Sequence, residues 1–215
     1  MSAATGKPAR TPTAKPLKRP SQARAKFTVQ AIYDALVRIW QRDGWDGVTT
    51  RAVALETGIS VGTLYDYFPN KLALLSGYVR HSVDVLLEAI EQQAVQPMGL
   101  PWQERVHQLV RLSCGVDAPE LPWFHPDMLV LEAQIAEPKH HRRVHEELGA
   151  AWVRVFDACD DLPHRPANDM LKALHLAVWG GRRYGLLVGL SAREADQWAA
   201  DMERMCCAVV RAAGD

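Results

Sequence analysis

The chain has 215 residues, of which 48% are hydrophobic and 23% charged, so it can hold one or two domains with sizeable cores. Its net charge is zero, but residues 1–33 carry seven basic and no acidic residues, while residues 34–215 carry 18 basic and 25 acidic ones. The four cysteines have no disulfide or zinc-site spacing, which predicts free thiols and a cytoplasmic location. We expect no membrane span and no signal peptide.

The N-terminal segment, residues 1–22, is predicted to be a disordered, basic, proline-rich arm. Its prolines recur every four residues among basic and small residues, and Leu17 is its single large apolar residue after Met1. Such a composition does not bury enough surface to fold. The arm is either a solvated tail or a segment that adds attraction to phosphate groups or reaches into a DNA groove. A helix with apolar residues at helical spacing is predicted from about Gln22 to Asp43, ending at Gly44.

Residues 49–71, TTRAVALETGISVGTLYDYFPNK, predict two short helices joined by a tight turn. Thr49 or Thr50 is expected to cap the first helix, and Ser60 the second. Gly58 suits the left-handed residue that ends a helix. The second helix has two large apolar residues four positions apart, Leu64 and Phe68, so most of its surface is left uncharged and free.

This segment resembles the helix-turn-helix of the TetR family of bacterial transcriptional regulators, over about residues 24–78. The turn and second helix, GISVGTLYDYFPNK, carry the resemblance. It implies an all-α fold, a DNA-binding domain over residues 23–70 and a helical effector-binding and dimerisation domain over residues 71–215. It also implies a homodimer that binds a palindromic operator in double-stranded DNA.

The resemblance assigns a DNA-contacting role to individual positions of the segment. Arg51 is the candidate for a bidentate base contact with guanine, because a guanidinium matches guanine O6 and N7; a contact with the DNA backbone alone is the alternative. Val61 is expected to meet a thymine methyl group, Gly62 to allow close backbone approach, and Thr63 to touch a base or a phosphate. The other predicted DNA-binding positions, mostly phosphate contacts, are Thr50, Ser60, Tyr65, Tyr67 and Lys71.

The second half of the chain is predicted to be helical throughout, with prolines marking its breaks. Helices are expected over about 70–93, 102–116, 126–136, 139–159, 166–190 and 191 onward. Ser191 and Glu194 predict a capping box for the last helix. Aromatic residues are frequent here, and core packing is their ordinary role. We nevertheless expect some to line a cavity for an apolar or aromatic small molecule, with these candidates: Trp102, Phe124, Trp152, His175 and Trp179.

A row of small residues every four positions predicts a helix that approaches a neighbour closely. Glycine inside a helix costs roughly 1 kcal/mol against alanine, so repeated glycines need a reason. We expect this row to form a dimer interface with the final helix, although packing inside one subunit is the alternative. The predicted interface residues are Ala177, Gly181, Gly185, Trp198, Met202 and Met205.

Two patterns suggest chemistry but have simpler explanations. Gly58 to Gly62 matches G-x-S-x-G, yet the residues before it predict a helix and not the strand that a nucleophile elbow requires. His141 and His145 are spaced to share a metal on a helix, but a solvated charged face explains them as well. We therefore predict no cofactor, no metal, no catalytic residue and no enzyme. The prediction is a ligand-released repressor, the alternatives being a regulator without a ligand and, remotely, a helical enzyme using histidines.

Overall fold

A computed structural model describes residues 18–212, and side chains from residue 24; the predicted arm lies largely outside these residues. The described residues form helices and no strands: α1 Lys18–Gly47, α2 Thr50–Thr57, α3 Val61–Tyr67, α4 Lys71–Ile90, α5 Trp102–Cys114, α6 Asp127–Ile135, α7 Pro138–Asp157, α8 Asn168–Val188 and α9 Ala192–Ala212. A π-helical turn, Glu91–Val95, continues α4. This confirms the predicted all-α fold.

The chain divides into two compact units, one ending at Tyr67 and the other beginning at Phe68. In the first unit α1 breaks at Gly44, whose φ of 72° only glycine adopts without strain, so the break falls where the sequence predicts the helix end. Helix α1 starts at Lys18, earlier than predicted. The core of this unit comes from one face of α1 and from the few apolar residues of the short helices: Ile32, Leu36, Ile39, Trp40, Val53, Ala54 and Leu64.

The second unit is a bundle in which α5 packs against α9 and α7 packs against α8. Trp152 and Phe156 of α7 are among its largest fully buried side chains. Arg105 of α5 is also buried, and its guanidinium donates to the carbonyls of Ala94, Val95, Pro97 and Leu100 at 2.6–3.2 Å. Those carbonyls lie where the chain leaves α4, so a charged residue fixes that turn. None of the described helices combines the length and apolarity needed to cross a bilayer.

Candidate functional site

The two short helices of the first unit are held by local hydrogen bonds that the sequence encodes. Thr49, and not Thr50, caps α2, since its Oγ1 accepts a hydrogen bond of 3.0 Å from the Ala52 amide. Gly58 ends α2 at φ 74°, and the Ile59 amide donates to the Ala54 carbonyl at 3.1 Å. These contacts fix the turn that leads into α3.

Helix α3 buries only Leu64 and presents most of its remaining surface to solvent. Ser60 caps it by accepting a 3.0 Å hydrogen bond from the Thr63 amide. Val61, Gly62 and Tyr65 are exposed. A helix of seven residues with one buried side chain contributes little to a core, so its outer face is available for another purpose.

Thr50 and Tyr65 link the two short helices on the exposed side. Their hydroxyl oxygens lie 3.3 Å apart, so each helix positions a side chain of the other. Sequence analysis assigned both residues to DNA without predicting this contact, because no local pattern relates positions fifteen residues apart. Thr63 and Tyr67 are half-buried on the same helix, and Ser60 is exposed.

Arg51 is exposed at the first turn of α2 and has no ion-pair partner among the described residues. Two nearby arginines of α1 do have an ion-pair partner, because Arg38 and Arg42 lie 3.0 Å and 3.4 Å from Glu56. Arg38 holds the pKa of Glu56 below its usual value by hydrogen bonding, so that carboxylate is occupied. Arg51 is therefore the cation of α2 and α3 that remains available for an external anion or base.

Gly62 has no structural need to be glycine. A Cβ placed there would approach only the Ser60 Oγ, at the ordinary distance of 3.6 Å, and its φ is not in the left-handed region. Since glycine is unfavourable in a helix, its presence on an exposed face needs another reason. Close approach of an external surface to the backbone is such a reason.

Lys71 is the first residue of α4, in the second unit, and is half-buried. Asn70 caps that helix by accepting a 2.8 Å hydrogen bond from the Ala73 amide. A helix N-terminus carries partial positive charge, so a lysine and free amides there favour an anion such as a phosphate.

The second unit has a half-open cavity of about 1110 Å³ between α4, α6, α7, α8 and the segment before α6. This volume slightly exceeds the range for small-molecule sites, roughly 300–1,000 Å³. Apolar side chains such as Leu86, Met128, Leu176 and Leu186 form much of its wall. The cavity can therefore hold a ligand with a large hydrocarbon or aromatic body.

Two of the five side chains predicted to line a cavity do so: Phe124 and Trp179. Trp102, Trp152 and His175 belong instead to the packed interior, which corrects their expected positions. Trp102 is 5% exposed beneath Arg211, whose Cζ lies 5.8 Å from the ring. The sequence places each residue on a helix but does not show which way it faces, and these three face other helices of the bundle.

His175 and Trp152 are nevertheless unusual core residues. His175 Nε2 and Trp152 Nε1 are buried and have no hydrogen-bond partner among the described residues. Their rings lie 5.9 Å apart, and the His145 ring, in the cavity wall, is 5.2 Å from that of His175. Burial, with a smaller effect of His145, lowers the pKa of His175 to about 4, so the imidazole is neutral at pH 7.

Sequence analysis missed the charged part of the cavity wall. Arg80, Glu132, Arg182 and Arg183 all line it, and three of them are on α4 or α8, helices that the sequence predicts from their apolar residues. No signal in the sequence singles these residues out, because their charges are brought together by packing between helices. Glu132 contacts Arg183 and, at 3.2 Å, His141 Nδ1.

The small residues of the predicted row on α8 differ in their surroundings, since two of them are packed against other side chains and one is exposed. A Cβ at Gly181 would overlap the indole of Trp198, and one at Gly185 would come within 2.9 Å of Leu190. Gly181 and Gly185 therefore pack inside the subunit, which corrects the prediction that they face a partner. Trp198, Met202 and Met205 are half-buried against the core of the same unit, whereas Ala177 is exposed.

The predicted histidine pair does not form a metal cluster. Within the part of the chain that the structure describes, no group of three or more potential ligands comes together. His141 pairs with Glu132, and His145 stacks near His175.

An exposed α3, capped and joined to α2 by a glycine turn, defines a helix-turn-helix protein with a separate helical unit. Residues 32–77 match the family model described as bacterial regulatory proteins, tetR family. Over these residues the chain is similar to the DNA-binding region of TetR-family regulators.

Relatives of known role match this chain over its N-terminal part. The repressor KstR of Mycolicibacterium smegmatis is 36% identical over 72 residues, which are 34% of this chain and 35% of that protein. KstR of Mycobacterium tuberculosis is 48% identical over 44 residues, 20% of each chain. The matched region thus spans about a third or less of these relatives, and the remainder of the chain is not aligned with them.

Solved structures share the fold over most of the chain. The TetR family repressor AlkX of Dietzia sp. has a TM-score of 0.55 and 18% identity, covering 84% of this chain and 96% of its own. A TetR-family transcriptional regulator of Streptomyces coelicolor has a TM-score of 0.56 and 15% identity, covering 85% and 97%. At these identities the likeness concerns the fold.

Proposed function

We propose that this protein is a homodimeric transcriptional repressor that binds a palindromic operator and is released by a small-molecule effector. The observation that carries DNA binding is the outer face of α2 and α3, where Arg51, Gly62 and Tyr65 are exposed and take no part in the core. A glycine-containing helix surface beside an available arginine suits a major groove. Such a regulator acts in the cytoplasm and, as is general in this family, without catalysis.

The proposed DNA contacts are those that the resemblance to the TetR family implies. Arg51 reads a base, Val61 and Gly62 approach the groove floor, and the hydroxyl groups bond phosphates. The phosphate contacts come from Thr50, Ser60, Thr63, Tyr65, Tyr67 and Lys71. Because phosphate contacts orient the protein and base contacts specify the sequence, both kinds are needed for an operator.

Dimerisation is proposed to use the exposed face of α8. Tyr184 is 68% exposed, and Leu176, Leu187 and Val188 are more than half exposed, beside the open Gly180. Apolar surface of this extent marks an interaction site. A second copy of the chain is the proposed partner, because a palindromic operator requires two recognition helices.

The cavity is why we favour a ligand-responsive repressor over a regulator without a ligand. A ligand of mainly apolar and aromatic character would occupy it, against walls that include Phe124 and Trp179. Its effect on DNA binding is limited to its differential affinity for the DNA-bound and released conformations.

Capture of genomic fragments by the purified full-length protein, followed by sequencing, tests the proposal. We expect the recovered fragments to share an inverted repeat whose half-sites are about one helical turn or a multiple apart. Recovery of fragments without a common sequence would contradict it. Light scattering tests the dimer: Tyr184→Glu should shift the mass toward a monomer, whereas Lys172→Glu, an exposed control on the same helix, should not.

A further inference from the structure

Arg182 of α8 is a charged side chain in the wall of the apolar cavity. Its guanidinium carbon lies 5.3 Å from the centre of the Trp179 ring and 5.8 Å from that of Phe124, both of which also line the cavity. It donates one long hydrogen bond, 3.5 Å, to the Ser113 carbonyl. Burial lowers the pKa of the Arg182 guanidinium from its usual value, because the charged form loses water.

Arg105 shows how this protein satisfies a buried arginine that serves only the fold. Its guanidinium makes four hydrogen bonds to carbonyl oxygens, so its charge is well compensated. Arg182 has one such bond among the described residues, at the C-terminal end of α5, where the helix dipole supplies weak negative charge. Most of its five N–H donors therefore remain available.

The other cations of the cavity wall are compensated. Six arginine and lysine residues line the cavity against one acidic residue, Glu132. Five of the six pair with carboxylates: Arg80 with Glu147 and Asp84, Lys139 with Glu137, Arg142 with Glu146, Arg143 with Glu147, and Arg183 with Glu132. Arg182 has no such partner among the described residues.

No neighbouring group replaces the missing anion. Cys114 is the closest candidate, at the end of α5, but burial raises the pKa of its thiol to about 12. The thiol is therefore neutral at pH 7. The Arg182 side chain is half-buried, so its charge is partly removed from water without a counter-ion, and a ligand that brings an anion recovers part of that cost on binding.

We propose that Arg182 binds the carboxylate of an amphipathic effector whose hydrocarbon body lies along the apolar wall of the cavity. This rests on the proposed function in that it names the class of effector for the same cavity. The guanidinium forms charge-assisted hydrogen bonds to the carboxylate, while Phe124 and Trp179 keep its side chain in place and exclude water around the pair. Neutral hydrocarbons and cations of similar size fit the cavity but leave Arg182 without an anion.

Calorimetric titration of the full-length protein with dodecanoate, dodecanol and dodecyltrimethylammonium, each below its micelle concentration, tests this. We expect dodecanoate to bind roughly tenfold or more tightly than dodecanol, as for a hydrogen bond to a charged group. The ammonium probe should bind more weakly than the alcohol. Equal affinities for dodecanoate and dodecanol, or no binding of dodecanoate, would overturn the proposal.

Variants separate recognition of the carboxylate from a role in holding α5. Arg182→Met should abolish the preference for dodecanoate and leave the affinity for dodecanol unchanged, and Arg182→Lys should restore part of the preference. Arg142→Gln, which removes a paired cation from the same wall, should behave as the native protein. If Arg182→Met lowers the melting temperature but keeps the preference, Arg182 is a structural cap and the proposal is wrong.

These titrations contain no DNA, so their outcome does not depend on whether the proposed function is correct. A preference that depends on Arg182 in a protein that enriches no DNA sequence would leave the carboxylate site standing and refute the repressor. A protein that binds its operator but does not prefer dodecanoate would refute the carboxylate site and leave the repressor standing.

Discussion

The proposed DNA-contacting surface and the effector cavity are built from residues at very different distances along the chain. The surface lies within residues 49–71, and its caps and turn join residues at most five positions apart. The cavity wall runs from Ser76 to Leu186 and depends on how four helices pack. The candidate residues of the DNA-contacting surface lie mainly outside the core of their unit. Some candidate residues of the cavity, in contrast, belong to the core of the second unit.

This difference predicts how substitutions divide between stability and binding. Changes on the outer face of α2 and α3 should weaken DNA binding and leave folding intact, since those side chains contribute little to the core. Changes inside the second unit should alter its stability first, because its polar groups and glycines are enclosed by neighbouring helices.

Acid should destabilise the second unit through His175. The pKa of this histidine is about 4 in the folded chain, below its ordinary 6.5, so the unfolded chain binds the proton more tightly. The stabilisation is therefore complete above about pH 6.5 and is lost as the pH falls toward 4, by an amount on the order of 3 kcal/mol. Urea unfolding at about pH 7.5 and about pH 4.5 measures the loss.

Two variants make the histidine prediction specific. His175→Leu should show a smaller drop in unfolding free energy between the two pH values than the native protein. His164→Gln, in an exposed loop, should show the native drop. An unchanged drop in His175→Leu would assign the acid sensitivity to other groups.

Two adjacent glycines of α8 test packing inside the second unit. A Cβ at Gly181 would overlap the Trp198 ring, so Gly181→Ala should destabilise the protein by about 1–3 kcal/mol. Gly180 has nothing within 4 Å of a Cβ, so Gly180→Ala should stabilise the subunit by up to about 1 kcal/mol. Thermal unfolding of both variants measures the difference; equal melting temperatures would refute the close packing of Trp198.

Gly181 also shows where sequence analysis stops. The spacing of small residues on α8 indicates close approach of another helix, but it does not tell whether that helix belongs to the same subunit. The approaching group is Trp198 of α9, and only the packing of the two helices reveals it. The ligand-binding candidates fail for the same reason, since a helical pattern identifies Trp152 and His175 without fixing which neighbours enclose them.

The local part of the molecule was predictable because its determinants are local. Threonine, serine and glycine at fixed offsets give the caps and the turn of α2 and α3, and prolines mark the helix breaks of the second unit. The charges of the cavity wall were not predictable. Arg80, Glu132 and Arg182 lie on three different helices, so no window of sequence contains them together.

Arg51→Ala should weaken operator binding by about 1–3 kcal/mol and leave the unfolding free energy nearly unchanged. The reason is that Arg51 is exposed and has no ion pair among the described residues. Lys71→Ala, which removes a proposed phosphate contact, should instead weaken operator and random DNA alike and reduce the salt slope by about one unit. Fluorescence anisotropy with both DNAs over a salt series measures this, and equal losses on the two DNAs for Arg51→Ala would make Arg51 a phosphate contact.

The smallest change, one methyl group at Gly62, gives the sharpest contrast with Gly181. Both glycines are inside helices, but a Cβ at Gly62 meets only the Ser60 Oγ at 3.6 Å. Gly62→Ala should therefore raise the unfolding free energy by up to about 1 kcal/mol, because alanine favours the helix. The same methyl group would hold DNA away from the backbone, and we expect operator affinity to fall by roughly 1 kcal/mol, about fivefold. A more stable protein that binds its operator less tightly would show that Gly62 serves contact with DNA, whereas undiminished binding would mean that the groove does not approach α3 at this residue.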